Sequence, residues 1–147
     1  MTTALRSRFW LRALEQAVRA MPYVWGGRRD DGCDCSGFVT LALYKASEGL
    51  IDWRATHNTD ALWALPRLKA AELLPGDLVL YWGPTPKDEH DVSHVMVYAG
   101  AGVVVGQAWG GPSDTDPARS RALGHVTKAM PMHYRTDLAG FTRLPLL

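Results

Sequence analysis

DCSGFVTLALYKAS, Asp34 to Ser47, is apolar on nearly every side from Ser36 onward and is followed by Gly49. A buried helix leaves this pattern, with a glycine just past its end. The stretch therefore predicts a helix over Ser36–Ser47 whose first turn carries Cys35. Unpaired backbone N–H groups and the dipole at a helix start favour a thiolate, which makes Cys35 a candidate nucleophile. A lone cysteine is as readily a buried structural residue, and its spacing leaves both readings open. The neighbours add weight to the first. Gly37 permits another backbone to approach closely, and Asp34 and Ser36 set polar groups on both sides of a sulfur at a buried helix end.

Upstream, Leu11, Leu14, Val18 and Met21 recur at three- and four-residue steps, so Leu5 to Met21 reads as an amphipathic helix stopped by Pro22. The segment YVWGGRRDDGCDC that follows has no periodicity and reads as an irregular loop into the buried helix. Downstream, a short helical piece fits Thr59 to Leu65 ahead of Pro66. LLPGDLVLYWG then gives a Pro-Gly-Asp turn and a strand at Leu78 to Trp82. Past a polar segment, Gly83 to Val92, the sequence HVMVYAGAGVVVGQAW reads as a hairpin of His94–Ala99 and Val103–Gln107 about the Gly100-Ala101-Gly102 turn. After a polar loop from Gly110 to Arg121, two more strands are expected around Val126–Ala129 and Gly140–Leu144. Helices first and antiparallel strands afterwards predict an α+β domain with helices packed on one face of a small antiparallel sheet.

A cysteine nucleophile needs a base. Of the five histidines, His57, His90, His125 and His133 fall in loop-like or terminal segments, although His57 or His90 is placed to line a cleft. His94 opens an otherwise apolar strand, so its ring is expected either to face the packed helix or to point to solvent at the sheet's end. A third group orients the imidazole by accepting from its other nitrogen. Gln107, across the hairpin, has an amide oxygen for that role, and it is equally readable as an ordinary polar residue ending a strand. Zinc held by Cys33, Cys35 and His94 is disfavoured, because paired cysteine ligands usually have two or more residues between them. No metal or other cofactor is expected.

At 147 residues and 47% hydrophobic, the chain has room for one core, so residues 1–147 are read as a single domain. Sixteen basic and fifteen acidic residues leave a net charge of +1, which supplies no field for nucleic acid or anionic lipid. No apolar run approaches the ~20 residues of a membrane span. Charges at Arg6, Arg8, Arg12 and Glu15 interrupt any signal-peptide core, so the chain is expected to begin life soluble in the cytoplasm and to act as a monomer. Cys33 and Cys35 are too close for an unstrained disulfide.

DCSGFV (Asp34 to Val39), taken with YVWGG (Tyr23 to Gly27), resembles the NlpC-type cell-wall peptidases, a papain-like group of bacterial peptidoglycan hydrolases. LLPGDLVLY resembles that family's leucine-x-proline-glycine-aspartate segment. SHVMVYAGAG resembles its histidine-valine-glycine-isoleucine-tyrosine strand and glycine turn, and GFTRL its last strand. The likeness runs from Tyr23 to Leu144 in the family's order.

It implies cleavage of peptidoglycan stem peptides between D-γ-glutamate and the following diamino acid, through a thioester on Cys35 with His94 shuttling the proton. By the same resemblance Tyr23 stands near the oxyanion, and Asp34 and Ser36 at positions implicated in holding the substrate's free amino end. Where the family most often has histidine-alanine, this sequence has Gln107-Ala108, one residue further along the hairpin. The segment GPTPKDEHD (Gly83 to Asp91) is longer than the usual loop and is expected to wall one side of the cleft. Many relatives carry wall-binding domains and secretion signals. Read by itself, this chain carries neither, which implies delivery to the periplasm or cell wall by lysis, a phage particle or a secretion machine, or a domain cut from a longer protein. The competing readings are a papain-like amidase or acyltransferase, against which Asp34-Cys35-Ser36-Gly37 argues, and a catalytically silent assembly module, against which intact Cys35 and His94 argue.

Overall fold

The computed structural model describes residues 3–83 and 91–145. Helix α1 spans Thr3–Val18 and buries Leu5, Phe9 and Ala13 at four-residue steps. Of the predicted stripe, Leu14 packs against the core at its edge, whereas Leu11 is 52% and Val18 86% exposed. The helix also stops before Met21. Ala20 takes a positive φ of 49°, which turns the chain so that Met21 enters the core and Pro22 starts the next segment.

Helix α2, Cys35–Ala46, is buried along most of its length, as its composition predicts. Asp34 is its N-cap, accepting from the Gly37 N–H at 2.7 Å, and Gly49 closes the other end by donating to the Tyr44 carbonyl at 2.8 Å. Gln16 of α1 donates to the Phe38 carbonyl of α2, so the two helices are pinned by a buried hydrogen bond as well as by packing.

The irregular segment before α2 contains a two-residue ladder, β1 (Arg28–Arg29) with β2 (Gly32–Cys33). Both strands are too short for any period to announce them. This loop and the helix start are interlocked. The Gly27 carbonyl accepts from the Asp34 N–H at 3.0 Å, and a Cβ on Gly37 would lie 2.0 Å from that same carbonyl oxygen. Glycine is needed at 37 for close approach, and this is why YVWGG and DCSG occur together.

After α3 (Thr59–Trp63), capped by Asn58, the chain builds a six-stranded antiparallel sheet. Its strands are β3 (Arg67–Leu68), β4 (Leu78–Tyr81), β5 (His94–Gly100), β6 (Val103–Gln107), β7 (Thr127–Pro131) and β8 (Leu138–Thr142), in the order β3-β8-β4-β5-β6-β7. A short helix α4, Pro117–Ala122, lies inside the segment expected to be polar loop and is capped by Asp116. Buried Asp77 of the Pro-Gly-Asp turn accepts from Arg6 of α1 at 2.9 Å and from Arg143 after β8 at 2.7 Å. One carboxylate therefore ties the first helix and the last strand to the central sheet.

The sheet has two packed faces. Val95, Val97 and Val105 meet α1 and α2 in the main core. Val79, Tyr81, Met96 and Val104 point the other way into a second apolar cluster, as strand alternation requires. The register between β5 and β6 shifts between Tyr98 and Gly100. Counting back from the Val97–Val105 pair brings His94 level with Ala108, and it sets Gln107 on the helix side of the sheet and His94 on the other.

Candidate active site

Cys35 and His94 line one cleft of about 750 Å³ at the end of the sheet, together with Tyr23, Trp25, Trp109 and Tyr134. Cys35 is brought there by the start of α2 and is only 9% exposed. Its Sγ lies 3.8 Å from the Thr59 hydroxyl and 4.0 Å from the Ser93 carbonyl, next door to His94. Burial, then the Asp34 charge, push the thiol above its ordinary range, against hydrogen bonds from Thr59 and the backbone of Val95 and Ser36. The helix-start argument taken alone predicts a thiolate. Desolvation beside an anion outweighs it in the free protein, so the resting sulfur is a thiol.

His94 is 7% exposed and sits at the start of β5. It neither faces the helices nor points to solvent: its ring lies on the second cluster's side, 5.4 Å from the Tyr81 ring. Burial, helped by the Arg135 charge and opposed by Asp137, pushes its pKa down to about 3. A neutral imidazole and a neutral thiol lining one cleft make a base waiting for a proton rather than a preformed ion pair.

Gln107 reaches the cleft wall; its amide nitrogen donates to the Met21 carbonyl at 2.9 Å and the Cys33 carbonyl at 3.1 Å, and its amide oxygen, the atom expected to orient His94, is buried with no hydrogen-bond partner among the described residues. The nitrogen His94 turns away from its strand is instead met by a residue that pattern reasoning passed over: Nε2 lies 2.7 Å from the Tyr134 hydroxyl. Tyr134 belongs to the short connection between β7 and β8, which also brings Arg135 and Asp137 to the cleft. The one trace of this in the sequence is a tyrosine beside a closely spaced arginine and aspartate between two strands.

Tyr23 lies under Gly110, where a Cβ would come within 2.3 Å of its ring and where φ is 134°. Burial, followed by Cys35 once ionised and then the Asp34 and Asp114 charges, raises its hydroxyl well above the ordinary phenol range, so it stays a donor. Asp34 and Ser36 line a second groove together with Arg28, Arg54 and His57. Asp34 already accepts from Gly37 N–H and, at 3.0 Å, from Gly26 N–H. His57 stacks on Trp53 with ring centroids 3.9 Å apart. His125 is bonded to Asp114, and His133 is exposed. His90 and most of the Gly83–Asp91 segment lie outside the described residues, as does any test of that segment as a cleft wall. Among the described residues no group of three or more His, Cys, Asp or Glu is arranged to hold a metal ion. Cys33 is buried in the core, with its thiol pushed up to about 12 by burial.

The sequence pattern of the NlpC/P60 family matches residues 20–127, from the loop before the nucleophile to the start of β7. The chain belongs to the NlpC/P60 family. Over 85 residues it is 33% identical to a probable endopeptidase of Mycobacterium tuberculosis, an alignment covering 57% of this chain and 19% of that protein. The chain thus spans about a fifth of the length of the curated relatives it matches. Two solved Mycobacterium tuberculosis structures share the fold. The peptidoglycan hydrolase RipB superposes with a TM-score of 0.61 at 24% identity, covering 97% of this chain and 68% of RipB. RipD, described as a non-catalytic NlpC/p60 domain protein adapted to peptidoglycan binding, superposes with a TM-score of 0.62 at 18% identity, covering 97% and 99%. Such near-equal scores for a hydrolase and a non-catalytic protein leave activity to be argued from side chains. The papain-like α+β architecture expected of an NlpC-type peptidase is the one observed.

Proposed function

We propose that this NlpC/P60 chain is a cysteine endopeptidase that hydrolyses peptidoglycan stem peptides at the bond between D-γ-glutamate and the following diamino acid. The observation that carries the reading is the meeting, in one cleft, of a thiol at a helix start and a neutral imidazole whose second nitrogen is already hydrogen-bonded. In the reaction His94 takes the Cys35 proton as sulfur bonds to the γ-carbonyl carbon, giving a tetrahedral oxyanion. The C–N bond then breaks, and the imidazolium gives its proton to the departing amine, leaving a thioester on Cys35. Water, deprotonated by His94, attacks the thioester carbonyl and releases the γ-carboxylate, and the proton returns to sulfur. The first-turn N–H groups of α2 and the Tyr23 hydroxyl are the donors available to the oxyanion. The relatives named a probable endopeptidase and a peptidoglycan hydrolase support the substrate class.

The family resemblance of Asp34 and Ser36 supports a role for them in holding the stem peptide's free amino end, although the groove they line also carries Arg28 and Arg54. The protein would be made in the cytoplasm and act in the periplasm or wall after delivery, as a lysis enzyme, a phage-borne hydrolase or a secreted toxin.

The test is incubation of wild type and Cys35→Ala with Gram-negative peptidoglycan fragments, with products read by mass spectrometry. Cleavage at the D-glutamyl bond by wild type alone is expected, with a loss on the order of 10⁴-fold or more in the variant. Folded wild type that binds the fragments without cutting them would make the chain a RipD-like binding module, and equal activity in Cys35→Ala would remove the sulfur from the chemistry.

A further inference from the structure

We infer that Tyr134 is the positioning residue for His94: its hydroxyl accepts the imidazole Nε2 proton, fixes the tautomer, and so leaves Nδ1 as the nitrogen that takes the Cys35 proton. The inference rests on the proposed cysteine chemistry and adds to it the group that aims the base. Of the two directions open to this contact, the hydroxyl's second partner favours this one. The Tyr134 hydroxyl lies 2.7 Å from His94 Nε2 and donates to the Ala108 carbonyl at 3.1 Å. A hydroxyl has one proton and a carbonyl has none to give. With its proton committed to Ala108, the hydroxyl meets Nε2 through a lone pair, so Nε2 carries the hydrogen.

The packing holds this geometry. Tyr134 is wedged edge-on between the Tyr81 ring, 5.7 Å away, and the Trp109 ring, 5.3 Å away. Its loop is clamped by the Tyr81 hydroxyl, which donates to the Met132 carbonyl at 2.7 Å. Locked aromatic neighbours of this kind keep a supporting side chain in one rotamer. Burial raises the Tyr134 hydroxyl well above the ordinary phenol range, so the proton on Ala108 is kept at any working pH.

Gln107 leaves the sheet on the other face from His94. It projects to the helix side with Val105, while His94 projects to the other side with Met96. The residue that bonds His94 therefore comes from a different strand connection, forty residues on in the chain.

The experiment uses the full chain as wild type, Tyr134→Phe and Gln107→Ala. NMR of the imidazole nitrogens, with His94 assigned from a His94→Gln sample, reads which nitrogen bears the proton at neutral pH. Wild type is expected to show the Nε2–H tautomer with a hydrogen-bonded shift, Tyr134→Phe a mixture of tautomers, and Gln107→Ala the wild-type pattern. In turnover Tyr134→Phe should lose roughly 10- to 100-fold in kcat with KM little changed, a part of the roughly 10²- to 10⁴-fold that a placed acid–base group supplies. An Nδ1–H tautomer in wild type, or an unaltered tautomer in Tyr134→Phe, overturns the inference, as does a tautomer change in Gln107→Ala instead. If wild type cleaves no peptidoglycan, the proposed reaction fails while the tautomer measurement still decides the role of Tyr134.

Discussion

The two halves of the cleft are held in place by different means. Around Cys35 the constraints are local: Asp34 caps the helix it precedes, accepts from Gly26 eight residues back, and its own N–H is held by Gly27. Around His94 they are distant: Tyr134 lies forty residues away and answers to Ala108 across another strand. The nucleophile is thus set by backbone that folds as one short unit, and the base by tertiary packing between strand ends. Damage to the first should appear as lost folding and damage to the second as lost chemistry in a folded protein.

The largest effect should come from Gly37→Ala. The new Cβ would stand 2.0 Å from a backbone oxygen, Gly27 O, and 2.9 Å from the capping Asp34 carboxylate, with no flexible side chain to move aside. Loss of about 4 kcal/mol or more is expected, beyond the usual cost of overpacking. Urea unfolding measures it, and a change below about 1 kcal/mol would mean that the two glycine motifs are not interlocked as described.

The same division explains what the sequence disclosed. Helix α2, the Pro-Gly-Asp turn, the hairpin from His94 to Gln107 and the cysteine's place were legible because each rests on a local pattern: a run of apolar residues, turn chemistry, alternation, a cap. What stayed hidden depends on register and packing. The centre of the core-facing side of α1 lies on Leu5, Phe9 and Ala13, with Leu14 at its edge and Leu11 and Val18 exposed, because two stripes of equal regularity run along this helix and only the partner chooses between them. Gln107 was the natural neighbour of His94 across a hairpin, yet a bulge between Tyr98 and Gly100 and strand alternation send it to the opposite face. Nothing local to residues 132–137 announces that Tyr134 will meet His94. The thiolate expected of a helix start was overruled by burial, which a sequence does not state.

The histidine half is sharpened by pH. With the folded pKa of His94 near 3 and its ordinary value at 6.5, both states are neutral above the ordinary value and the residue adds no pH dependence there. Below it the unfolded chain binds a proton that the folded one refuses, so stability falls as pH drops towards the folded pKa and no further beneath it. The expected loss is a few kcal/mol across that window. His57, also depressed by burial, contributes in the same direction, so the quantity to measure is the difference in unfolding free energy against pH between wild type and His94→Gln. Parallel curves would mean that the imidazole protonates freely in the fold.

The smallest change tests whether the cysteine half does more than hold shape. Asp34→Asn keeps an oxygen for the Gly37 N–H but puts an amide where Oδ2 accepted from Gly26, a cost of about 1 kcal/mol. It also removes the anion that, after burial, most raises the Cys35 thiol. The pH midpoint for alkylation of Cys35 by iodoacetamide should therefore move down while the protein stays folded, since less charge opposes the thiolate. A lower midpoint would make Asp34 both a clamp and a brake, keeping the nucleophile protonated until substrate and His94 act together. A loss of stability with an unmoved midpoint would reduce it to a clamp, and the resting thiol would then be the work of burial alone.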